Sequence, residues 1–372
     1  MRRGCLFFLV ANLVAGLGSA AVYYVATEGN DSATGSRGSP FRTLARGVEA
    51  ANAGDTVIVR SGKYGAGSVM TGGDTSDTNQ SPVVLRRSGT PQAWITLQSE
   101  NKWGAVLDCE MRCDAYINLY NAAYIVIQGF VITKGYKEGI HSNDSAHHIT
   151  LRGNRIEYIA NRPSYTGLGL DGMYTNPNCH HFIIDGNIFH DIGRTNQVQL
   201  DHGLYLRGSD MAVTNNIFYN IPHGWSIQAA DGLNNVLIAH NVFAFKNAEG
   251  HTGQIMLWKR QSNLSIRNNI FYEGERYAIS RYQAAITSCT IDHNLVYGAS
   301  AVMSDASGCS LGDNRVGANP MFVNPSREPY DFQLQSGSPA IRAGAPAVVD
   351  LDFDGLVRPV GPPDIGAFTS PR

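Results

Sequence analysis

From Tyr124 to Ala299 one line of apolar and polar positions recurs along the chain. One copy is SDMAVTNNIFYNI (209–221). The others are YIVIQGFVITKG (124–135), HHITLRGNRIEYI (147–159), HHFIIDGNIFHDI (180–192), NNVLIAHNVFAFK (234–246), SNLSIRNNIFYEG (262–274) and TSCTIDHNLVYGA (287–299). Each alternates apolar residues, then sets an Asn, then an apolar pair. The Asn is Asn154, Asn187, Asn216, Asn241, Asn269 and Asn294, with Phe130 in its place in the first copy, at steps of 24 to 33 residues. Alternation with period two predicts strands, and a repeat of this length predicts one supersecondary unit stacked on the next. Asn suits the turn, where it tolerates positive φ. Stacking would align the amides into a ladder, each satisfying the next.

Between these lines lies a second strand that usually opens with Gly: Gly139-Ile140-His141-Ser142, Gly172-Met173-Tyr174-Thr175, Gly203-Leu204-Tyr205-Leu206, Gly224-Trp225-Ser226-Ile227 and Gly253-Gln254-Ile255-Met256. Ala278–Arg281 and Ala301–Ser304 continue the row. Their stacking predicts one long parallel sheet. Its outward side chains are expected to include His141, Tyr174, Tyr205, Arg207, Ser226 and Gln228, with Lys259 and Arg281 at strand ends. The whole pattern resembles the right-handed parallel β-helix of the pectate-lyase superfamily, over nearly all of the chain after its first residues. The expected fold is therefore all-β, a single-stranded right-handed parallel β-helix with a short N-terminal capping helix. Roughly nine or ten coils at about 4.8 Å each make a solenoid about 45 Å long.

Met1-Arg2-Arg3, an apolar run from Cys5 to Leu17 and Gly18-Ser19-Ala20-Ala21 predict a signal peptide over residues 1–21, too short for a membrane span. The β-helix domain is expected over 22–372. Within it, 22–64 resembles the N-terminal cap of secreted β-helix proteins, with helix periodicity over Pro40–Ala53 that stops at Gly54. Such a helix would cover the open end of the apolar core. Residues 65–81 are a polar, Gly-rich loop, 124–299 the regular coils and 318–372 a C-terminal closing segment.

Forty glycines and only 16% charged residues fit many tight turns around a dry core. Loss of the leader removes Arg2 and Arg3 and no acid, taking the formal charge from −2 to −4. That mild acidity, with no tail of one sign, gives no sign of a nucleic-acid partner, and none is expected; no further stretch could span a membrane. A monomer is expected. Five cysteines remain: Cys109, Cys113, Cys179, Cys289 and Cys309. Cys109 with Cys113 and Cys289 with Cys309 could pair in an oxidising compartment, or all five could be small buried apolar residues. No cofactor is expected. Asp352-Phe353-Asp354-Gly355 leaves calcium open, but three residues do not supply six to eight oxygens. His147-His148 and His180-His181 read as surface pairs on coil edges rather than metal ligands.

Three groups of residues could carry chemistry. Lys259 and Arg281 stand about one coil apart, hence on neighbouring rungs. Lys259-Arg260-Gln261-Ser262-Asn263, Arg267-Asn268-Asn269-Ile270-Phe271 and Ile279-Ser280-Arg281 resemble the chondroitinase B and alginate lyase family. That resemblance implies Lys259 as base and Arg281 as acid. β-Elimination of a uronate needs C5 deprotonation while carboxylate charge is neutralised, and a Lys among cations loses its proton more readily. Second, Asp171-Gly172, Asp201-His202-Gly203, Pro222-His223-Gly224-Trp225 and Trp258-Lys259-Arg260 resemble, in order, the motifs of polygalacturonases. Inverting hydrolysis needs an acid and a base roughly 6.5–9.5 Å apart, which Asp171 and Asp201 would meet on adjacent coils. Here Asp-His stands where that family has Asp-Asp. Third, Asp201, His202, Tyr205, Arg207 and His223 crowd two coils. A His with a Tyr suits elimination or C5 epimerisation, which share proton abstraction beside a carboxylate.

The sequence thus leads to a secreted enzyme, extracellular or periplasmic, that acts on an extended acidic polysaccharide by β-elimination. The alternatives are a polygalacturonase-like hydrolase, a C5-epimerase and a non-catalytic binding or adhesin solenoid. Its catalytic candidates are Lys259, Arg281, Asp201, His202, His223 and Asp171. Its substrate-binding candidates are His141, Tyr174, Tyr205, Arg207, Gln228, Trp258, Arg260 and Tyr282.

Overall fold

The computed structural model describes residues 20–67, 80–143, 145–160, 169–194, 200–245, 252–346 and 348–370. Residues 1–19 of the expected leader and most of the 65–81 loop lie outside these residues, as does the last residue of the 234–246 line.

Each regular coil has three strands. The coil around residue 180 shows them: Leu170–Thr175 on a first face, His180–Asp185 on a second, and Ile188–His190 on a third. Every strand pairs in parallel with its counterparts one coil before and one coil after. The third-face strands alone make a ten-stranded sheet. The chain is thus a three-sided parallel solenoid.

The Asn ladder runs up the corner between the second and third faces. The backbone N–H and Nδ2 of Asn187 both donate to Oδ1 of Asn216, at 2.9 and 3.0 Å, and Asn216 does the same to Asn241 at 2.8 and 3.0 Å. Each Nδ2 also reaches back to a carbonyl of the previous coil, Ile184 in the case of Asn216. Phe130 donates its N–H to Asn154, and Asn314, which sequence reading passed over, extends the ladder beyond Asn294. The amides are fully buried from Asn154 to Asn294. Asn216→Leu would strip Asn187 of its acceptor and Ile184 of a donor. We expect it to cost on the order of 3 kcal/mol, since buried groups left unpaired cost about 1–3 kcal/mol each. Chemical denaturation of the variant checks this.

The apolar pair after each Asn has a divided role. Phe189, Phe218, Phe243 and Phe271 point inward and stack at 4.9–5.1 Å. The residues before them point outward, and Ile217, Val242 and Ile270 are nonetheless buried. Phe322, Phe332 and Leu334, from an antiparallel pair of strands Phe322–Asn324 and Asp331–Leu334, cover them. The C-terminal segment therefore runs back along the flank of the coils. Arg358 fixes it there, reaching Asn215 and the carbonyls of Gly366 and Ala367.

At the other end the capping helix spans Leu44–Ala50, shorter than the periodicity of 40–53 suggests. Thr43 caps it by accepting from Arg46 N–H, and Ala51 is already extended. Gly47 lets the helix lie close on the first coils, because a Cβ there would stand 2.8–2.9 Å from Val57 and Val25. Cys109 pairs with Cys113, and Cys289 with its rung neighbour Cys309. Cys179 is a buried thiol 3.1 Å from Ser142 Oγ. Among the described residues no helix is long and apolar enough to cross a membrane.

Candidate functional site

The first face carries a cleft of ≈ 770 Å³. Its shape follows from a break in strand alternation. Met173, Leu204, Ile227, Ile255 and Ile279 form one inward row in register, and Tyr174, Tyr205, Gln228, Met256 and Ser280 the outward row beside it. Immediately before the inward row, Gly139, Gly172 and Gly203 also turn inward. A Cβ on Gly172 would stand 2.6 Å from the Gly203 carbonyl and 2.8 Å from Ile192. Two successive inward residues throw the residue ahead of each Gly outward. Hence Glu138, Asp171 and His202 line the cleft, with Trp225 beyond them. Ser226, expected outward, is instead 3% exposed, since it occupies the inward place taken by glycine in earlier coils.

Asp171 is the most unusual group in the cleft. Its side chain is buried, and Oδ1 has no hydrogen-bond partner. Burial pushes its carboxyl well above the ordinary carboxylate range, and the charges of Glu138 and Asp201 push the same way; the His202 backbone N–H and Arg194 oppose them less strongly. Burial and these two charges both favour its protonated form. Glu138, its rung neighbour, pairs with Nδ1 of His141, whose Nε2 lies 2.6 Å from Asn143 Oδ1. Burial works against charge on His141, but the Glu138 carboxylate and the hydrogen bonds to Glu138 and Asn143 outweigh it and raise its pKa.

On the other side of Asp171, His202 accepts the Trp225 N–H at Nδ1, 3.1 Å away. In the neutral ring this leaves the proton on Nε2, so His202 is a donor. Its ring stacks on Trp225 at 5.4 Å. Tyr205 stacks on Tyr174, and Tyr174 on His141. Burial raises the Tyr205 phenol, which keeps it a donor too. Trp258, Arg281 and Tyr282 complete the rim with Gln228.

Asp201, His223, Arg207, Arg260 and Lys259 lie outside the cleft lining. Asp201 stands opposite Leu170, an inward position, and is fully buried. Arg194 holds it with its backbone N–H, Nε and a terminal nitrogen at 2.6–2.9 Å. Asp171 and Asp201 therefore do not face the cleft as two free carboxylates. His223 is half-buried outside the cleft lining, and its carbonyl accepts the Leu200 N–H. Arg207 exchanges backbone hydrogen bonds with the Thr175 hydroxyl. Arg260 is exposed and paired with Asp231. Lys259 sits at a bulge with φ 57°, its ammonium 4.2 Å from the Trp258 ring centre. The register sets Arg281 against Leu257 and Tyr282 against Trp258, so Lys259 has no direct rung partner in Arg281. Arg281 itself reaches the Ala284 and Ser307 carbonyls and Asp305. Asp352 spends both carboxylate oxygens on the N–H groups of Asp354, Leu356 and Thr369.

Glu138 was missed by sequence reading, although a signal existed: it precedes Gly139 as Asp171 precedes Gly172.

Comparison with known proteins agrees with this architecture. Residues 23–181 match the family described as "Pel9A-like, right handed beta helix region", and residues 171–326 the family "Right handed beta helix region". The chain is a right-handed parallel β-helix protein. An alginate lyase from Paenibacillus sp. str. FPU-7 superposes with a TM-score of 0.57 at 17% identity, over 80% of this β-helix and 95% of that chain. Pectate lyase Pel9A superposes with a TM-score of 0.54 at 15% identity, over 95% of this chain and 97% of that one. These likenesses are of fold. In sequence, the β-helix is 28% identical to the uncharacterized protein YwoF of Bacillus subtilis (strain 168) over 38% of this chain, and the match spans 30% of that protein's length.

Proposed function

We propose that the β-helix binds an extended sugar polymer along its first face and cleaves it, with Asp171 protonating the leaving glycosidic oxygen. The observation that supports this is the Asp171 carboxyl: buried, pushed toward its protonated form, with an unpartnered oxygen, at a cleft rimmed by Tyr174, Tyr205, Trp225, Trp258 and Tyr282. Aromatic faces suit the apolar faces of sugar rings, and the polar groups between them fix orientation. Glu138 is the second carboxylate. A pair of carboxyl groups at the scissile bond is the equipment of glycosidic cleavage. The expected leader and the two disulfides support a place of action outside the cytoplasm.

A second reading, β-elimination from a uronate, is favoured by Arg281 on the same cleft. A guanidinium facing the substrate carboxylate, with the donors His202 and Tyr205, would stabilise the charge that develops on C5 deprotonation. Lys259, whose ammonium lies against the cleft residue Trp258, is the base we propose for that reading.

The test is a panel of pectin, alginate and glycosaminoglycan substrates, read for new reducing ends and for ultraviolet absorbance of an unsaturated product. Reducing ends without absorbance give hydrolysis; both together give elimination. Neither signal, on substrates that bind, would overturn cleavage and leave a binding solenoid. Under elimination, Arg281→Ala and Lys259→Ala should each stop the absorbance change; Lys259→Ala should leave the melting temperature nearly unchanged, whereas Arg281→Ala also removes the hydrogen bonds to Ala284 and Ser307 and should lower it. Under either reading, Trp258→Ala should weaken substrate binding roughly tenfold, the scale of one aromatic contact, seen as a raised KM.

A further inference from the structure

A second cluster lies on the second face, away from the cleft. His147 and His148 open one strand, and His180 and His181 open its neighbour, with His147 directly opposite His180. Consecutive residues of a strand ordinarily point to opposite faces. Here they do not, because His148 and His181 adopt left-handed backbone with φ of 52° and 56°. The kink brings both rings of each rung to the outside. Their Nδ1 atoms then meet, 2.8 Å apart within the 147/148 rung and 2.8 Å within the 180/181 rung. Between rungs the rings stack face to face, His147 on His180 at 4.7 Å and His148 on His181 at 4.4 Å. Tyr124 stacks on His148 from the coil before, and Trp94 stands edge-on to it.

We propose that this corner is a binding site for a divalent transition ion of the zinc–copper–nickel class. Four imidazoles from two rungs converge there. A contact of 2.8 Å between two ring nitrogens holds at most one proton, so each rung keeps at least one bare lone pair aimed at the other ring. One ligand nitrogen from each of His147, His148 and His180 already lies within 4.8 Å of the others. Zinc–nitrogen bonds of about 2.0–2.1 Å place two tetrahedral ligands roughly 3.4 Å apart, so side-chain shifts of roughly 1 Å would close the set. A donor set made of imidazole alone selects zinc, copper or nickel and rejects calcium and magnesium, which demand oxygen. The rings are half-buried or exposed, so an ion can enter from solvent. Bound there, it would tie two consecutive coils together.

The test starts with full-length protein stripped by EDTA and titrated calorimetrically with Zn(II), Cu(II) and Ni(II), with Ca(II) as control. We expect one transition ion per chain and no heat from calcium. His148→Gln and His180→Gln should each lower affinity at least tenfold. Both positions face solvent, and circular dichroism confirms that the variants fold. Zinc should raise the melting temperature of the parent and not of the variants, and EDTA should reverse the rise. Copper-loaded parent should show electron-spin couplings to at least three nitrogens. Absence of stoichiometric binding would overturn the site, as would full affinity in both variants or a copper spectrum with fewer than three nitrogens.

Discussion

Asp171→Asn is expected to lower turnover by about 10²–10⁴-fold, the usual contribution of a positioned proton donor. Stability should stay the same or rise. Asp171 is a buried acid with an unpartnered oxygen, an arrangement that costs folding free energy. Asn keeps the shape and cannot ionise. The pH dependence has a fixed sign. The folded-state pKa of Asp171 lies above its unfolded value, so its favourable contribution is complete below the ordinary carboxylate range and is lost as pH rises through the folded pKa. The parent should therefore lose stability and activity together on that rise. Asp171→Asn should lack this stability loss. Equal turnover of the variant and the parent would remove Asp171 from the chemistry.

The second large effect is expected at Asp201, one strand away and opposite in kind. Asp201→Ala would leave the Arg194 guanidinium without the carboxylate that now holds it, in a place where neither side chain is exposed. Removing one member of a buried pair costs about 3–5 kcal/mol, read as a fall in the denaturation midpoint. Replacing both, as Asp201→Leu with Arg194→Met, should recover most of that loss, because two apolar side chains leave no orphaned charge. If Asp201→Ala unfolds at the parent midpoint, Asp201 is not the structural anchor described. If it keeps its midpoint and loses activity, Asp201 belongs to the chemistry instead.

These neighbours show how far the sequence reaches. The ladder was legible because an Asn recurring once per coil has one good explanation, and the coil length follows from it. The cysteine pairs were visible as one of two alternatives, because Cys289 and Cys309 lie about one coil apart. Asp171 and Asp201 looked alike, each an Asp ahead of a Gly-containing strand. What separates them is one residue of register: Asp171 abuts Gly172, whereas His202 stands between Asp201 and Gly203. The double inward step at Gly172-Met173 and Gly203-Leu204 puts the residue next to Gly in the cleft and the one before it in the core. Strict alternation conceals that step, and it misplaced Ser226 for the same reason. Lys259 was hidden by a bulge, and backbone of positive φ at a lysine has no sequence signature. The paired histidines were visible as letters, but their convergence depends on two left-handed residues in register.

The most direct measurement is the titration of the Asp171 carboxyl itself. Protein labelled with ¹³C at aspartate carboxyl carbons, compared with Asp171→Asn to assign the resonance, would report its pKa alongside the pH profile of kcat/KM. A midpoint well above the ordinary carboxylate range is expected, matched by the alkaline limb of activity. A midpoint near the ordinary value of 3.8, or an activity profile indifferent to it, would contradict the assignment of Asp171 as the proton donor.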